Sequence, residues 1–508
     1  MISDRSSDST LGFTVHPFRM KRLRQYFKLF SQSSDKVLFD DNVSAMLQAQ
    51  GFYVEEAPRS IYSVEKLHEA LHKYAPQKKP ASIPFEIIKP GIDLAYACFA
   101  RPHDVRTLGV LPLTLDVVKY LTSNPSGSPG LTNYGSTKSE SQVHALGRGL
   151  QILSRERAPE PCLAFKRTQF GGKTRLVWGY PYSMTVLEGL VARPLIDKFK
   201  GAKSPMAFAM STMALGAKLR VSSYRKRWAY SIDIKSFDSS VSAQLIREAF
   251  RVIKTWFDLA EIEPTSGKTV RELFNIIEHY FIHTTIVMPD GNIYKGKRHG
   301  VPSGSYFTQF VDSVVNTILC GALAARFHLH VDKRDLFVLG DDLLFFSNVK
   351  VNLSEISQWI SSVFGLTMSE EKSRVTRYDE TVHFLGREWS NGMPNMAVDE
   401  ILKRLVYPEK FRFYEDDPSG RARQVRMLIL AFASQAVNGW SIAYKTLDGS
   451  DRHIHRGGAN LDANTYRSGG RPKQLDPEML TGLMRYRQKY LFRDTRYGIP
   501  DTALQYWL

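Results

Sequence analysis

Residues 336–346 read LFVLGDDLLFF, two adjacent carboxylates set between apolar runs of strand character. Gly340 followed by Asp341 fits the Gly-X preference of a type II′ turn, so the sequence predicts a tight hairpin with both faces covered. Gly-Asp alone is an ordinary turn dipeptide. The second carboxylate, Asp342, is not required by the turn, and each charge raises the cost of ionising the other. An ionised pair in such a setting needs a counter-charge, and a bound divalent cation is the natural one. Magnesium takes oxygen ligands, usually one or two carboxylates with phosphates and water. A third carboxylate from elsewhere in the chain would complete the site.

The stretch WAYSIDIKSFDSS (228–240) supplies it. Asp233 falls near the end of a predicted strand, a turn follows around Lys235 and Ser236, and Asp238 lies beyond that turn. Carboxylates converging in this way suit two ions about 3.5–4 Å apart, which clamp the attacking and leaving oxygens of phosphoryl transfer. Between the two segments lies HGVPSGSYFTQFVDSVVNTIL (299–319). Ser303-Gly304 reads as a loop, and an amphipathic helix is expected from about Tyr306. Thr308, Asp312 and Asn316 then form one polar stripe at i, i+4 and i+8. Such groups need partners when buried; a ribose with two hydroxyls and neighbouring side chains both qualify.

At 508 residues the chain is long enough for three or four domains or for one large enzyme with lobes. Lys and Arg outnumber Asp and Glu by 68 to 51, and the +17 balance favours a polyanionic partner. Cys98, Cys162 and Cys320 are far apart and form no CxxC, so neither a disulfide framework nor a Cys-based zinc site follows, and a reducing compartment is expected over secretion. The start, MISDRSSDST, has no signal-peptide core. No stretch reaches the ~18 apolar residues of a membrane span. The expectation is a soluble, intracellular protein with nucleic acid rather than membrane as its partner.

The basic, aromatic stretch 16–30 is read as an amphipathic helix covering a core. Residues 123–140, rich in Gly, Ser and Pro, are read as loop. Mixed α/β signal runs from about 160 to 390. A buried helix is expected at 425–437, a long polar loop at 451–474, and further helix near 477–490. Two motif-level alternatives fail. GGKTR and SGKTV each carry GK[ST], but Arg167 and Ile262 occupy the position where a phosphate-binding loop needs glycine. His279 and His283 are four apart, yet Tyr280 stands where a zinc hydrolase helix has Glu, and no third ligand is evident.

In their order along the chain, DxxxxD, SGxxxT with a downstream Asn, and GDD resemble palm motifs A, B and C of viral RNA-dependent RNA polymerases. The wording GVPSGSYFTQFVDSVVN is most similar to the partitivirus and picobirnavirus group, whose genomes are double-stranded RNA; the resemblance covers roughly residues 125–390. It implies two Mg²⁺ ions, with Mn²⁺ as an alternative, held mainly by Asp233 and Asp341 with Asp342 contributing. KRTQFGGKTRLVWGYP (166–181) resembles motif F, so Lys166, Lys173 and Arg175 would cover the incoming triphosphate. SPGL (128–131) and Lys138 resemble motif G, which makes Ser128, Gly130 and Lys138 template contacts. MSEEKSRVT (368–376) resembles motif D, with Lys372 as general acid for the leaving pyrophosphate. VHFLGREW (382–389) resembles motif E, giving Phe384, Leu385 and Gly386 a grip on the primer strand. Ser303, Gly304, Thr308 and Asp238 would contact the nucleotide. Many relatives have Asn nine residues after the motif B Ser; here that position is Asp312, and Asn316 lies one turn later. Asp312, Asn316 or both could partner Asp238 at the ribose.

The implied fold is α+β, a right hand whose palm is an antiparallel sheet backed by helices. Its segments are 1–75 bridging fingers and thumb, fingers at 76–225, palm at 226–245, a fingers insertion at 246–299, palm again at 300–395, and thumb and tail at 396–508. The implied partners are an RNA template, nascent RNA, NTPs and a viral capsid protein, with no membrane, in the virion interior and host cytoplasm. A reverse transcriptase is the nearest enzymatic rival, although Asp238 stands where those enzymes favour a bulky aromatic. A non-catalytic RNA-binding structural protein would explain the charge but not the acidic clusters.

Overall fold

The computed structural model describes residues 11–446, apart from 35–36, 56–61, 77–81, 169, 171–173, 201–203, 209, 378–379, 410–411, 434–435, 440–441 and 443–444. The expected loop at 451–474 and helix near 477–490 lie outside the described residues. Strands follow in chain order as β1 (Thr14–Pro17), β2 (Cys162–Thr168), β3 (Thr174–Gly179), β4 (Trp228–Ile232), β5 (Ile286–Val287) and β6 (Asn292–Lys295). They continue as β7 (Leu336–Leu339), β8 (Asp342–Ser347), β9 (Arg374–Arg377), β10 (Val382–Phe384), β11 (Arg387–Ser390) and β12 (Met393–Asn395).

The apolar runs flanking Gly340 form the predicted hairpin, β7–β8, at one side of a four-stranded antiparallel sheet ordered β7-β8-β4-β9. Strand residues alternate between faces, and here both sets are apolar because both faces are covered. Leu336, Val338, Leu343 and Phe345 join the main core with Tyr230 and Ile232. Phe337, Leu344 and Phe346 enter a second cluster with Leu215, Phe384 and Trp389. Tyr230 and Phe345, directly paired across β4 and β8, stack at 4.8 Å.

Behind the first face lies the helix Thr308–Phe327, which crosses the helix Phe85–Phe99 where Gly91 and Gly321 allow backbone contact. Its length and composition would suit a membrane span, contrary to the sequence expectation, but it is a buried core helix between helix and sheet. It begins at Thr308, with Phe307 as its N-cap, near the expected start at Tyr306.

A mixed five-stranded sheet, β1-β6-β5-β2-β3, joins the N-terminal strand to the 162–179 and 286–295 hairpins, with only β2–β5 parallel. The basic stretch 16–30 is not one helix: it opens in β1 and a 3-10 turn, and only Arg24–Phe30 is α-helical, burying Tyr26 while Leu23 of the turn is buried beside it. Farther along, Val43 and Leu47 of the helix Asp41–Gln48 pack against Ile401, Leu405, Val425 and Ile429. The N-terminal segment thus touches both the five-stranded sheet and the helices beyond residue 396. The helix expected at 425–437 is found at Pro418–Ala433. A small antiparallel sheet, β10-β11-β12, covers the outer face of the hairpin sheet.

Candidate active site

The pairing of β4 with β8 brings the distant carboxylates together. Its last pair is Ile232 with Leu343, so one step on, Asp233 comes opposite Asp342. The backbone of Asp233 is fixed by the 369–373 turn: Ser369 N donates to its carbonyl at 2.7 Å, and its own N–H donates to Ser373 Oγ at 3.0 Å. Lys372 Nζ reaches Asp233 Oδ2 at 3.6 Å. At the hairpin tip Gly340 has φ +61° while Asp341 keeps an ordinary negative φ, the sign pattern of a type II′ turn. The helix behind holds this turn by both backbone groups: Gly340 N donates to Ser313 Oγ at 3.0 Å, and Asn316 Nδ2 donates to Gly340 O at 2.8 Å.

Asp341 is open to solvent at its surface yet lies deep in the surrounding protein mass. That desolvation, then the charges of Asp238 and Asp233, push its pKa up to about 6, against the relief given by Arg175. Asp342 is raised well above the carboxylate range by burial, Asp341 and Asp233, with Lys372 opposing. Asp312, 2% exposed, is raised likewise by burial and then by Asp238 and Asp341, and its Oδ1 has no hydrogen-bond partner among the described residues. Arg175 NH2 donates to Asp238 Oδ2 at 2.8 Å. Asp238 in turn raises the Arg175 pKa, more than burial lowers it. Asp341 thus links two acidic sets, Asp233 with Asp342 and Asp238 with Asp312.

The pKa values of Asp341, Asp342 and Asp312 stay raised although Arg175 and Lys372 stand among these carboxylates, so negative charge remains in excess, which is the state a divalent cation corrects. Among the described residues no group of three or more His, Cys, Asp or Glu side chains is placed to hold a metal ion by itself. Magnesium does not require one, since it keeps several waters and substrate phosphates around one or two carboxylates. The hard oxygen donors of Asp233, Asp341 and Asp342 therefore fit such an ion.

The structure separates the remaining expected residues. Lys173 lies outside the described residues. Lys166 pairs with Leu176 and so lies on the strand face opposite Arg175. There its Nζ sits 3.8 Å from the centre of the Tyr62 ring, and burial lowers its pKa. Arg167 shares Arg175's face and is ion-paired with Glu409 at 2.5 Å. Ser303 Oγ accepts from Trp178 N at 3.2 Å, and a Cβ on Gly304 would lie 2.0 Å from Trp178 O. The first member of the stripe, Thr308, donates back to Pro302 O at 2.7 Å. Asn316 is held on Gly340, which leaves Asp312 as the stripe residue electrostatically coupled to Asp238 and Asp341.

Ser128 Oγ accepts from Gly130 N at 3.2 Å, and Gly130 (φ +60°) packs on Tyr180 O. Lys138 Nζ lies 5.5 Å from the centre of the Tyr182 ring, with its pKa lowered by burial. Phe384 and Leu385 correct the expectation of a primer grip by their side chains: both are buried in the cluster beneath the hairpin sheet. Leu385 (φ +54°) and Gly386 (φ +67°) form the β10–β11 turn, and of the three only Gly386 is half-buried rather than buried.

Glu188, fully buried on the helix Tyr182–Phe199, belongs to none of the motifs. A lone acid in the apolar run MTVLEGLVA (184–192) was the available signal. Burial lifts its pKa from the ordinary 4.5 to about 8, against hydrogen bonds from Tyr306 and Ser305. A raised folded-state value contributes stability below pH 4.5 that is lost as pH climbs through 8. Glu188→Gln should therefore gain in melting temperature relative to wild type across that window and show a constant difference below it, as thermal unfolding at several pH values would show.

A chain with this sheet, this helix and this acidic cluster can be set against known proteins. The family model for viral RNA-dependent RNA polymerase matches residues 171–435. The chain belongs to that family. It is 32% identical over 176 residues to the RNA-directed RNA polymerase of Cryptosporidium parvum virus 1, covering 33% of this chain and 31% of the relative. It is 30% identical over 179 residues to that of Atkinsonella hypoxylon virus, covering 34% and 27%. The matches thus span about a third of the length of these relatives. The RNA-dependent RNA polymerase of a human picobirnavirus superposes with a TM-score of 0.63 at 15% identity, covering 99% of both chains. The Sicinivirus 3Dpol polymerase superposes with a TM-score of 0.60 at 15% identity, over 90% of this chain and 98% of that one. These two establish the α+β polymerase fold, and the expected likeness to the partitivirus and picobirnavirus type is borne out.

Proposed function

We propose that the protein is an RNA-directed RNA polymerase that performs template-directed nucleotidyl transfer and so replicates and transcribes a viral double-stranded RNA genome. The observation that carries this is the β4–β8 register, which sets Asp233 beside the Asp341–Asp342 tip. Asp233 and Asp341 would hold two Mg²⁺ ions, or Mn²⁺, with Asp342 contributing more weakly. Such ions lower the pKa of a 3′-hydroxyl and neutralise the triphosphate and leaving pyrophosphate. Arg175, partly exposed beside Asp238, and Lys173 would bind the phosphates and steady their growing charge. Lys372, with its ammonium beside Asp233, would deliver a proton to the departing pyrophosphate.

Asp238 and Asp312 would read the ribose hydroxyls, which distinguish RNA from DNA precursors. Asp238→Ala should erode the preference for rNTP over dNTP by about tenfold, the scale of one lost hydrogen bond to a charged group. Unchanged discrimination in single-nucleotide incorporation would remove Asp238 from that role. A small polar residue there also disfavours the reverse transcriptase reading.

The hairpin sheet and its helix form the palm in this reading. The five-stranded sheet lies in the fingers, the helices after 396 in the thumb, and the N-terminal segment spans the two. The +17 charge supports binding of template and nascent RNA. A viral capsid protein as partner, and work in the virion interior and host cytoplasm, follow from the same reading. The test is incubation of purified protein with single-stranded RNA, four NTPs and Mg²⁺, reading product length and strandedness, with dNTPs in parallel. Labelled RNA product supports the proposal. RNA binding without incorporation would establish the structural alternative, and incorporation of dNTPs alone the reverse transcriptase.

A further inference from the structure

The turn that precedes the helix Thr308–Phe327 is gripped from behind by a residue the nucleotidyl-transfer scheme does not use. Glu188 Oε1 and Oε2 both accept from Ser305 Oγ, at 2.8 and 2.9 Å, and Oε2 also accepts from Tyr306 N at 2.8 Å. Ser305 Oγ in turn accepts from Phe307 N at 3.0 Å. The helix receives no side-chain cap from its N-cap residue, Phe307, so this relay from carboxyl to hydroxyl to N–H occupies donors that a helix start otherwise leaves orphaned. A buried carboxyl is costly unless hydrogen-bonded, and Glu188 forms no ion pair among the described residues; the turn itself satisfies it.

The opposite side of the turn is held by backbone. Ser303 Oγ accepts from Trp178 N, Gly304 presses on Trp178 O, and Tyr306 Oη donates to Leu121 O at 3.1 Å. Trp178 lies on β3, the strand that carries Arg175. Residues 303–308 are therefore clamped between the phosphate-facing strand and the Glu188 helix, and Asp312 lies one helical turn beyond Thr308.

We propose that Glu188 is a positioning residue for nucleotide selection: through Ser305 and Tyr306 its carboxyl sets the 303–308 turn, and thereby the placement of Asp312 relative to Asp238 at the sugar of the incoming nucleoside triphosphate. The inference rests on the polymerase reading and adds to it a residue that touches neither substrate nor metal. Glu188→Ala removes the acceptors and releases the turn. Glu188→Gln keeps them in kind, because its amide oxygen accepts from Tyr306 N and its NH₂ donates to Ser305 Oγ.

The test measures KM, kcat and the rNTP-to-dNTP ratio in single-nucleotide incorporation by the full chain, with RNA affinity and melting temperature recorded for each variant. Misplacement by about an ångström can cost up to ~100-fold. Glu188→Ala is expected to raise KM for NTP and to erode ribose discrimination by about tenfold each, with RNA affinity unchanged, while Glu188→Gln stays within about threefold of wild type. Wild-type KM and discrimination in Glu188→Ala would overturn the proposal, as would equal impairment in Glu188→Gln. Should Glu188→Ala not fold, Ser305→Ala, which leaves the Tyr306 bond in place, must raise KM in the same direction; wild-type kinetics there would overturn it equally. A wild-type enzyme that incorporates nothing would instead remove the polymerase reading beneath it.

Discussion

Asp341→Asn should leave the fold and RNA binding intact and lower Mg²⁺-dependent RNA synthesis by at least about a thousandfold, the scale of losing one key transition-state electrostatic contact. The amide keeps the size and turn geometry of the carboxylate, since the tip is shaped by Gly340 and by its bonds to Ser313 and Asn316. What changes is charge. The charges of Asp238 and Asp233 raise the pKa of Asp341, and the charge of Asp341 raises those of Asp342 and Asp312. Removing one negative charge relieves that repulsion, so melting temperature should hold or rise while activity falls. Opposite changes in stability and rate mark a group retained for chemistry at a cost to the fold. Nucleotide incorporation and thermal unfolding on the same preparation give both values, and normal synthesis would end the metal assignment.

Gly91→Ala should destabilise the protein by about 2 kcal/mol. Two effects compete. Alanine in place of glycine favours a helix by about 1 kcal/mol, whereas overpacking a tight core costs about 1–3 kcal/mol and occasionally more. Overpacking wins because the added Cβ would lie 2.0 Å from Ile318 O, a backbone atom that cannot rotate aside. The helices Phe85–Phe99 and Thr308–Phe327 must part, and the second carries Asp312, Ser313 and Asn316. The loss should appear as a lower midpoint in denaturant, accompanied by lower synthesis as the Gly340 turn loses its supports. An unchanged midpoint would mean that the crossing yields without strain.

Much of the site was legible beforehand because local chemistry dictates it. Gly340 with Asp341 between apolar runs can do little but turn a covered hairpin, and the spacing of Thr308, Asp312 and Asn316 sets one stripe on a helix. The misread residues share a different property. Lys166 and Arg175 look equivalent in sequence, but a strand sends neighbours of opposite parity to opposite faces, and pairing with Leu176 puts Lys166 behind. Phe384 and Leu385 sit in a motif that resembles a strand grip, yet Trp389 and the hairpin sheet bury both side chains. Glu188 carried only the signal of an isolated acid in an apolar run, and its partners lie 117 and 118 residues away.

By itself, the order of amino acids determined which segments could form strand, turn and helix, and which carboxylates were too many for those elements to need. The tertiary structure alone decided which of them meet. Asp233 faces Asp342 because β4 pairs with β8 in one register, and a slip of a single residue would send Asp233 to the other side of the sheet. Asn316, rather than Asp312, serves the hairpin because the helix lies on the sheet at one rotation. Local preference acts over a few residues, whereas register and rotation join residues from 24 positions apart, as for Asn316 and Gly340, to more than a hundred, as for Tyr230 and Phe345, and no short stretch of sequence contains that information.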